Sequence, residues 1–134
     1  MIRLASVHDY QSIKTFDPFS GSRKEDVKDQ RVFVCLQDGQ VSGYISMARA
    51  ELLGRPYVQY LAVAQAFQRR GIASRLISHI ESRYTNKRLF ISTESSNNIM
   101  QELLLKLAYV PAGEISGANL NGTKELFYYK DENA

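Results

Sequence analysis

The chain has 134 residues, of which 44% are hydrophobic and 23% charged, the size and composition of one folded domain with a real core. Its single cysteine, Cys35, excludes an internal disulfide, and one cysteine with two histidines offers too few ligands for a structural zinc site. No long apolar run occurs, and no apolar segment follows the N-terminus. We therefore expect no metal, no membrane span, no secretory signal and a cytoplasmic location.

Charge is unevenly distributed along the chain. Residues 49–88 contain eight Lys and Arg side chains against two Glu, whereas the remainder contains nine basic and twelve acidic side chains. A basic middle in an otherwise acidic chain indicates nucleic acid, a phosphate-bearing cofactor or simply a solvated charged face. Charge alone leaves these three interpretations open.

The first half of the chain is predicted to form a strand, a helix, a loop and a β-hairpin. Asp9 is a plausible N-cap for the helix, and Pro18 stops it. Asp38-Gly39 is a tight-turn signal between two β-prone runs. The predicted elements are a strand at 2–6, a helix at 10–16, a loop at 17–30 with one helical turn at 24–28, and hairpin strands at 31–36 and 41–53.

The second half alternates strands with helices. Residues 57–64 form an almost continuous apolar run, which is typical of a strand buried on both faces. Strand and helix alternating after a hairpin predict an α/β fold, a mixed central β-sheet flanked by helices on both faces, in a single domain over 1–134. The other predicted elements are helices at 73–84 and 100–107, the second capped by residues 95–98, and strands at 88–93 and 125–130.

The junction after the 57–64 strand has the chemistry of a phosphate site. The first amides of a helix lack intrahelical partners and lie at the positive end of its dipole, so they bind phosphate oxygens. In QRRGIA, residues 68–73, Gly71 permits close approach and Arg69 and Arg70 add charge. A Walker loop is excluded because no Gly-Lys pair occurs, and a dinucleotide fingerprint because it needs three glycines.

Two segments resemble a known family. YLAVAQAFQRRGIASRLI, residues 60–77, resembles motif A (Gln/Arg-x-x-Gly-x-Gly/Ala) of the GNAT superfamily of acyl-CoA-dependent N-acetyltransferases, and NNIMQELLLKLAY, residues 97–109, resembles its motif B. The motifs stand in the family's order with one strand between them, and the resemblance covers nearly the whole chain. It implies a small single-domain member of bacterial type with the GNAT fold.

The resemblance also implies how acetyl-CoA, the co-substrate, is held. The predicted strand at 57–64 would offer main-chain groups to the pantetheine arm. Asn97 would help to seat this arm and would also cap the helix that follows it. Residues 68–74 would bind the pyrophosphate through backbone amides, with Arg69 or Arg70 reaching the phosphates. The implied cofactor-binding residues are Leu61, Ala62, Val63, Gln68, Arg69, Arg70, Gly71, Ile72, Ala73, Ser74 and Asn97.

Two departures concern the proton carriers. Where many relatives have a glutamate base this chain has Gln59, and where they have a tyrosine acid it has Leu104. Neither side chain carries a proton, although proximity alone lowers the barrier to acyl transfer. Glu94, at the end of the 88–93 strand, is the candidate replacement base, and a plain first-turn helix charge is its alternative role. Other replacement candidates are Glu51, Tyr60 and Tyr109.

The function predicted is transfer of an acetyl group directly from acetyl-CoA to a primary amine of a small molecule or peptide. The alternative is a non-catalytic acyl-CoA-binding sensor, which the two departures favour. A nucleic-acid binder is disfavoured, because the basic block is one loop-helix unit without interleaved aromatics and a pyrophosphate already accounts for its charge. We expect no membrane partner. The sequence leaves the acceptor undefined and a homodimer open.

Overall fold

The computed structural model describes residues 1–132, which divide into two compact units. Unit 1 consists of Met1–Ala50 and Val58–Arg83, and unit 2 of Glu51–Tyr57 and the described residues from Tyr84 onward. The elements in chain order are β1 (Ile2–Leu4), α1 (Tyr10–Phe16), α2 (Lys24–Lys28), β2 (Val32–Gln37), β3 (Gln40–Met47), β4 (Tyr57–Val63), α3 (Ile72–Arg83), β5 (Arg88–Glu94), α4 (Asn98–Lys106), β6 (Val110–Ile115) and β7 (Glu125–Asp131), with 3-10 turns at Val7–Asp9 and Gln65–Phe67.

Strands β1 to β4 pair in chain order, and each pair is antiparallel. The predicted hairpin is β2–β3, and Asp38 and Gly39 at its turn both have the positive φ that a tight two-residue hairpin turn requires. The expected extension of its second strand to residue 53 is wrong, because β3 ends at Met47. Leu53 and Gly54 take positive φ in a turn that no strand could continue through.

Helices cover both faces of these four strands. On one face, Ile13 of α1 and Val27 of α2 pack in a core cluster with Val34 and Tyr44. On the other face, α3 lies against the strands through Ile72, Leu76, Ile77 and Ile80, all at most 2% exposed. Among residues 1–132 no helix is long and apolar enough to cross a membrane.

Gly43 of β3 marks the closest approach of strand and helix. A Cβ built on this residue would lie 2.9 Å from the carbonyl oxygen of Ala62 and 3.1 Å from Cγ2 of Ile72. Any side chain there would collide with backbone that has little freedom to move. Gly43 thus sets the seating of the first turn of α3 on the sheet.

In unit 2, strands follow the order β5, β7, β6, and both pairs are antiparallel. Leu89, Ile91 and Thr93 alternate inward along β5, and Leu104 of α4 is fully buried. Strand β6 was not predicted. All six of its residues are exposed and it includes Pro111, which cannot donate to a ladder, so it carries no alternating pattern and is tolerated only at an edge.

The burial of two further side chains can be compared with what the sequence predicts. Cys35, expected to be a small buried hydrophobe, is a fully buried free thiol. His79, expected to face solvent, is half-buried, with its ring centroid 5.0 Å from that of Phe33. Burial, with the nearby Arg83 guanidinium adding to it, lowers the pKa of His79.

This environment of His79 predicts a pH-dependent loss of stability. The pKa of His79 is lower in the folded chain than in the unfolded chain, where it is about 6.5. As the pH falls through this unfolded-state pKa, the unfolded chain binds a proton more readily than the folded chain, so the free energy of unfolding decreases. His79→Phe keeps the ring on Phe33 and removes the titration. In urea denaturation at pH 7.5 and 5.5, we expect the wild type to lose more unfolding free energy than His79→Phe. His8→Gln, which removes the other histidine of the chain at an exposed position, is the control.

Candidate functional site

A left-handed turn connects β4 to α3. Arg69 and Gly71 have φ values of 66° and 76°, and the helix begins at Ile72. Its first intrahelical bond runs from the Arg75 amide to the Gly71 carbonyl, 3.1 Å apart. The amides of residues 72–74 therefore lack intrahelical partners and point out of the first turn.

The space over this turn is open and positively charged. Residues 68–71 are exposed, and a Cβ on Gly71 would meet nothing within 4 Å. Neither Arg69 nor Arg70 pairs with a carboxylate of the described chain, and the Arg70 guanidinium lies 5.4 Å from the ring centre of Phe67. Free amides, open space and two uncompensated guanidinium groups are the conditions that bind a phosphate.

Three other basic side chains of residues 49–88 have a carboxylate or an aromatic partner. Arg49 lies 2.6 Å from Asp29, Arg88 lies 2.7 Å from Asp131, and Arg83 stacks on a phenyl ring. The acidic residues of the 17–30 segment are similarly occupied, since Asp29 also lies 3.2 Å from a second arginine, Arg31. Arg69 and Arg70 pair with no carboxylate of the described residues, and Arg75 of α3 donates only to the neutral Gln37 side chain at 3.2 Å, so positive charge remains at the start of this helix.

Strand β4 bulges at Gln59. Ser46 of β3 pairs with Tyr60 and Met47 pairs with Val58, so Gln59 is the extra residue between them and has no partner on β3. Its side chain is exposed. Bulges redirect side chains and break pairing next to active sites. The residue that replaces the expected base thus lies at the irregular point of the strand.

Beyond the bulge, β4 directs part of its backbone away from β3. The Ala64 amide donates to the Ser42 carbonyl at 2.8 Å, which makes Tyr44–Ala62 a hydrogen-bonded pair by antiparallel alternation. Ala62 therefore turns its peptide groups toward β3, whereas Leu61 and Val63 turn theirs away. The Val63 carbonyl accepts a hydrogen bond from Nε2 of Gln68 at 3.2 Å, which fixes the chain as it enters the turn.

Three of the sequence-predicted residues, Asn97, Leu104 and Glu94, lie in unit 2. The Asn97 side chain accepts from the Met100 amide at 3.1 Å, which is the helix cap that the sequence predicted. Leu104 is 0% exposed and serves only the core. Glu94 ends β5, and its Oε1 accepts from Nδ2 of Asn121 at 2.8 Å and from Oγ1 of Thr123 at 2.9 Å.

Glu125 is a second carboxylate in unit 2, and no motif in the sequence singles it out. It is the register partner of Glu94 on β7. Its Oε2 accepts from Ser92 Oγ at 2.7 Å, and that hydroxyl lies 2.7 Å from the Tyr57 phenol oxygen. Only strand pairing brings these residues together. Within residues 1–132, no three His, Cys, Asp or Glu side chains cluster so as to hold a metal ion.

Comparison with known proteins identifies what this chain resembles. The Acetyltransferase (GNAT) family model matches residues 4–109. A GNAT-family acetyltransferase from Bacillus cereus ATCC 10987 is 22% identical, with a TM-score of 0.85 over 100% of this chain and 98% of that one. No curated protein matches the sequence.

Two further solved structures share the fold. The ribosomal-protein-S18-alanine N-acetyltransferase from Escherichia coli is 18% identical with a TM-score of 0.77, covering 100% of this chain and 96% of that one. A chain of the NatB acetyltransferase complex bound to CoA and MES is 17% identical with a TM-score of 0.81, covering 98% and 99%. At these identities the likeness shows the fold alone, and it confirms the predicted α/β GNAT architecture.

Proposed function

Because the chain belongs to the GNAT acetyltransferase family, we propose that it transfers the acetyl group of acetyl-CoA to a primary amine of a small molecule or peptide. The observation that carries this proposal is the open turn before α3, with its unpaired amides and its free Arg69 and Arg70. The family match extends over residues of both units, which supports treating 1–134 as one acetyltransferase domain.

The turn fits coenzyme A as the donor. The amides of residues 72–74 would bind the pyrophosphate, Gly71 leaves space for it, and Arg69 or Arg70 would neutralise its charge. The outward peptide groups of Leu61 and Val63 suit the pantetheine amides, with Ala62 between them. Gln68 would hold the turn in place, and Asn97 would seat the pantetheine arm from the start of α4.

The proposed reaction is a direct transfer. The neutral amine attacks the thioester carbonyl, so that a C–N bond forms and the C–S bond breaks. The amine loses one proton, and the coenzyme A thiolate takes one up. Gln59 and Leu104 hold no titratable proton, and we propose Glu94 as the acceptor of the amine proton.

The Glu94 role predicts the pH dependence of the reaction. With a carboxylate as base, kcat/KM should rise with pH and level off before the pKa of the acceptor amine is reached, and Glu94→Gln should lower that plateau about 100-fold. Glutamine preserves an oxygen that can accept from Asn121 or Thr123, and Glu125→Gln is the matched control. A rate that climbs without a plateau to the pKa of the acceptor amine, unchanged in Glu94→Gln, would remove Glu94 from the mechanism.

Transfer itself is tested by release of the coenzyme A thiol from acetyl-CoA in the presence of a panel of amines and peptides. We expect thiol release that depends on both the amine and the protein, with the acetylated amine found by mass spectrometry. Binding of acetyl-CoA without release of the coenzyme A thiol for any amine would favour the sensor function. Gln59 and Leu104 support that function, because neither side chain can carry a proton at the positions of the usual base and acid.

A further inference from the structure

Arg23, which precedes α2, is a buried charge whose partners are incomplete. Its side chain is 3% exposed, and its Nη2 donates to the Ser20 carbonyl at 2.6 Å. Its guanidinium carbon lies 3.8 Å from the ring centre of Tyr60. Nε and Nη1 make no hydrogen bond within the described chain. Unsatisfied donors on a buried cation are costly and call for an acceptor.

The nearby carboxylate does not complete this set. Asp17 forms an ion pair with Arg23 through Oδ2, 3.4 Å from Nε, while its Oδ1 accepts from the Tyr44 hydroxyl at 2.7 Å and from the Phe19 amide at 3.2 Å. Burial, reinforced by the bond to Asp17, raises the pKa of Tyr44, so this phenol stays protonated and keeps donating. Asp17 is thus shared between Tyr44 and Arg23 Nε, and Nη1 of Arg23 has no acceptor among the described residues.

A cavity of about 180 Å³ lies between α1 and the 17–23 loop, and Arg23 lines it. Lys14 lines it as well, is exposed, and forms no ion pair with any carboxylate of residues 1–132. The hydroxyls of Tyr10 and Ser22, 2.7 Å apart, complete its polar wall. With two cations against Asp17, this lining favours a small anion.

The cavity is next to the strand that carries the proposed donor site. Arg23 stacks on Tyr60, which directly follows the Gln59 bulge and precedes Leu61 in β4. Phe19 lies against the same ring, with centroids 5.0 Å apart. An anion bound by Arg23 is therefore within a side chain's length of the irregular part of β4.

We propose that this cavity binds the anionic group of the acceptor, so that the substrate is an amine that also carries a carboxylate or a phosphate. The inference rests on the proposed function. Because Arg23 is buried and stacked on Tyr60, its guanidinium is preorganised for an anion, and Lys14 adds positive charge at the cavity. Neutral amines of the same length lack the group that would satisfy Arg23.

The test compares matched acceptors. 4-Aminobutyrate and 6-aminohexanoate are each assayed against the corresponding amide, and phosphoethanolamine against ethanolamine, with rates expressed per neutral amine. We expect kcat/KM to favour the anionic member about tenfold or more. The carboxylate and phosphate pairs distinguish the two anions. Equal rates within every pair would overturn the proposal while leaving acetyl transfer intact.

Two variants locate the effect. Lys14→Gln is at an exposed site and should reduce the preference several-fold, and Arg23→Lys should abolish it while keeping one buried charge. Lys106→Gln, on α4, is the control and should retain the preference. Because Arg23 is buried, Arg23→Lys is assayed only if thermal unfolding shows that the variant is folded. If it is not folded, Lys14→Gln alone decides the test. An unchanged preference in Lys14→Gln and in folded Arg23→Lys would contradict the proposal.

A binding measurement separates this inference from the proposed function. If no amine releases coenzyme A, 4-aminobutyrate is titrated into the protein alone and the amide resonances of residues 17–23 are followed by NMR. Saturable shifts that weaken in Lys14→Gln would support the anion site without acetyl transfer. No shift at tens of millimolar would overturn it.

Discussion

Gly71→Glu abolishes the stabilisation that acetyl-CoA gives to the wild-type chain. At 100 times its Kd, a ligand that binds only the folded state contributes about 2.7 kcal/mol, or roughly 10 °C in Tm for a domain of this size. The variant places a carboxylate over the amides of residues 72–74, where the pyrophosphate would lie. We expect no shift in Tm for Gly71→Glu at millimolar acetyl-CoA, measured by differential scanning fluorimetry.

Gly71→Ala is the matched control. Both variants force a side chain into a φ of 76° and lose about 1–2 kcal/mol of stability from that strain. The alanine Cβ points into open space, so most of the acetyl-CoA shift should survive. A full shift in Gly71→Glu, or the same loss in both variants, would mean that the turn does not hold the pyrophosphate.

Gly43→Val both destabilises the chain and weakens acetyl-CoA binding. The φ of Gly43 is not positive, so the effect is purely steric: the new Cβ lies 2.9 Å from the Ala62 carbonyl and 3.1 Å from Ile72. Overpacking of this kind costs about 1–3 kcal/mol. Because α3 must move to relieve it, the amides of residues 72–74 lose their alignment. We expect a lower urea midpoint and at least a tenfold higher Kd for acetyl-CoA by calorimetry.

Gly39→Ala tests whether any glycine replacement in the hairpin has this effect. The alanine Cβ would meet nothing within 4 Å. Because residue 39 has a positive φ of 74°, the substitution should lower the stability of the chain without affecting the acetyl-CoA site. It should lower the urea midpoint and leave the Kd for acetyl-CoA unchanged. An unchanged Kd in Gly43→Val would show that the seating of α3 does not govern binding.

Local patterns were sufficient to predict most of the fold. The Asp38-Gly39 turn, the apolar run of β4 and the helical spacing of α3 are short-range signals that packing reinforced. Strand β6 escaped prediction because an exposed edge strand with a proline needs no apolar alternation. His79 was misplaced because its helix position indicated solvent, whereas the ring of Phe33 on β2 covers it.

The candidate site was predictable only where it is contiguous in sequence. The turn from Gln68 to Ser74 is one continuous motif, and its glycine and two arginines make it recognisable in the sequence. Gly43 is 28 residues before Gly71 and acts on α3 across the sheet, although a glycine inside a β-prone run is a recognised sign of close backbone approach. Arg23 gave no signal, since in the sequence it is one charge among several in a polar loop.

The most direct test of the account is an amide NMR titration of the ¹⁵N-labelled wild-type chain with acetyl-CoA. Hydrogen bonds from the first turn of α3 to phosphate oxygens should shift the amide resonances of residues 71–74 most, together with those of Leu61 and Val63 on β4. The shifts should saturate, and Gly71→Glu should remove them. Saturable binding that leaves residues 71–74 unperturbed, or no perturbation at millimolar acetyl-CoA, would contradict the assignment of the β4–α3 turn as the coenzyme A site.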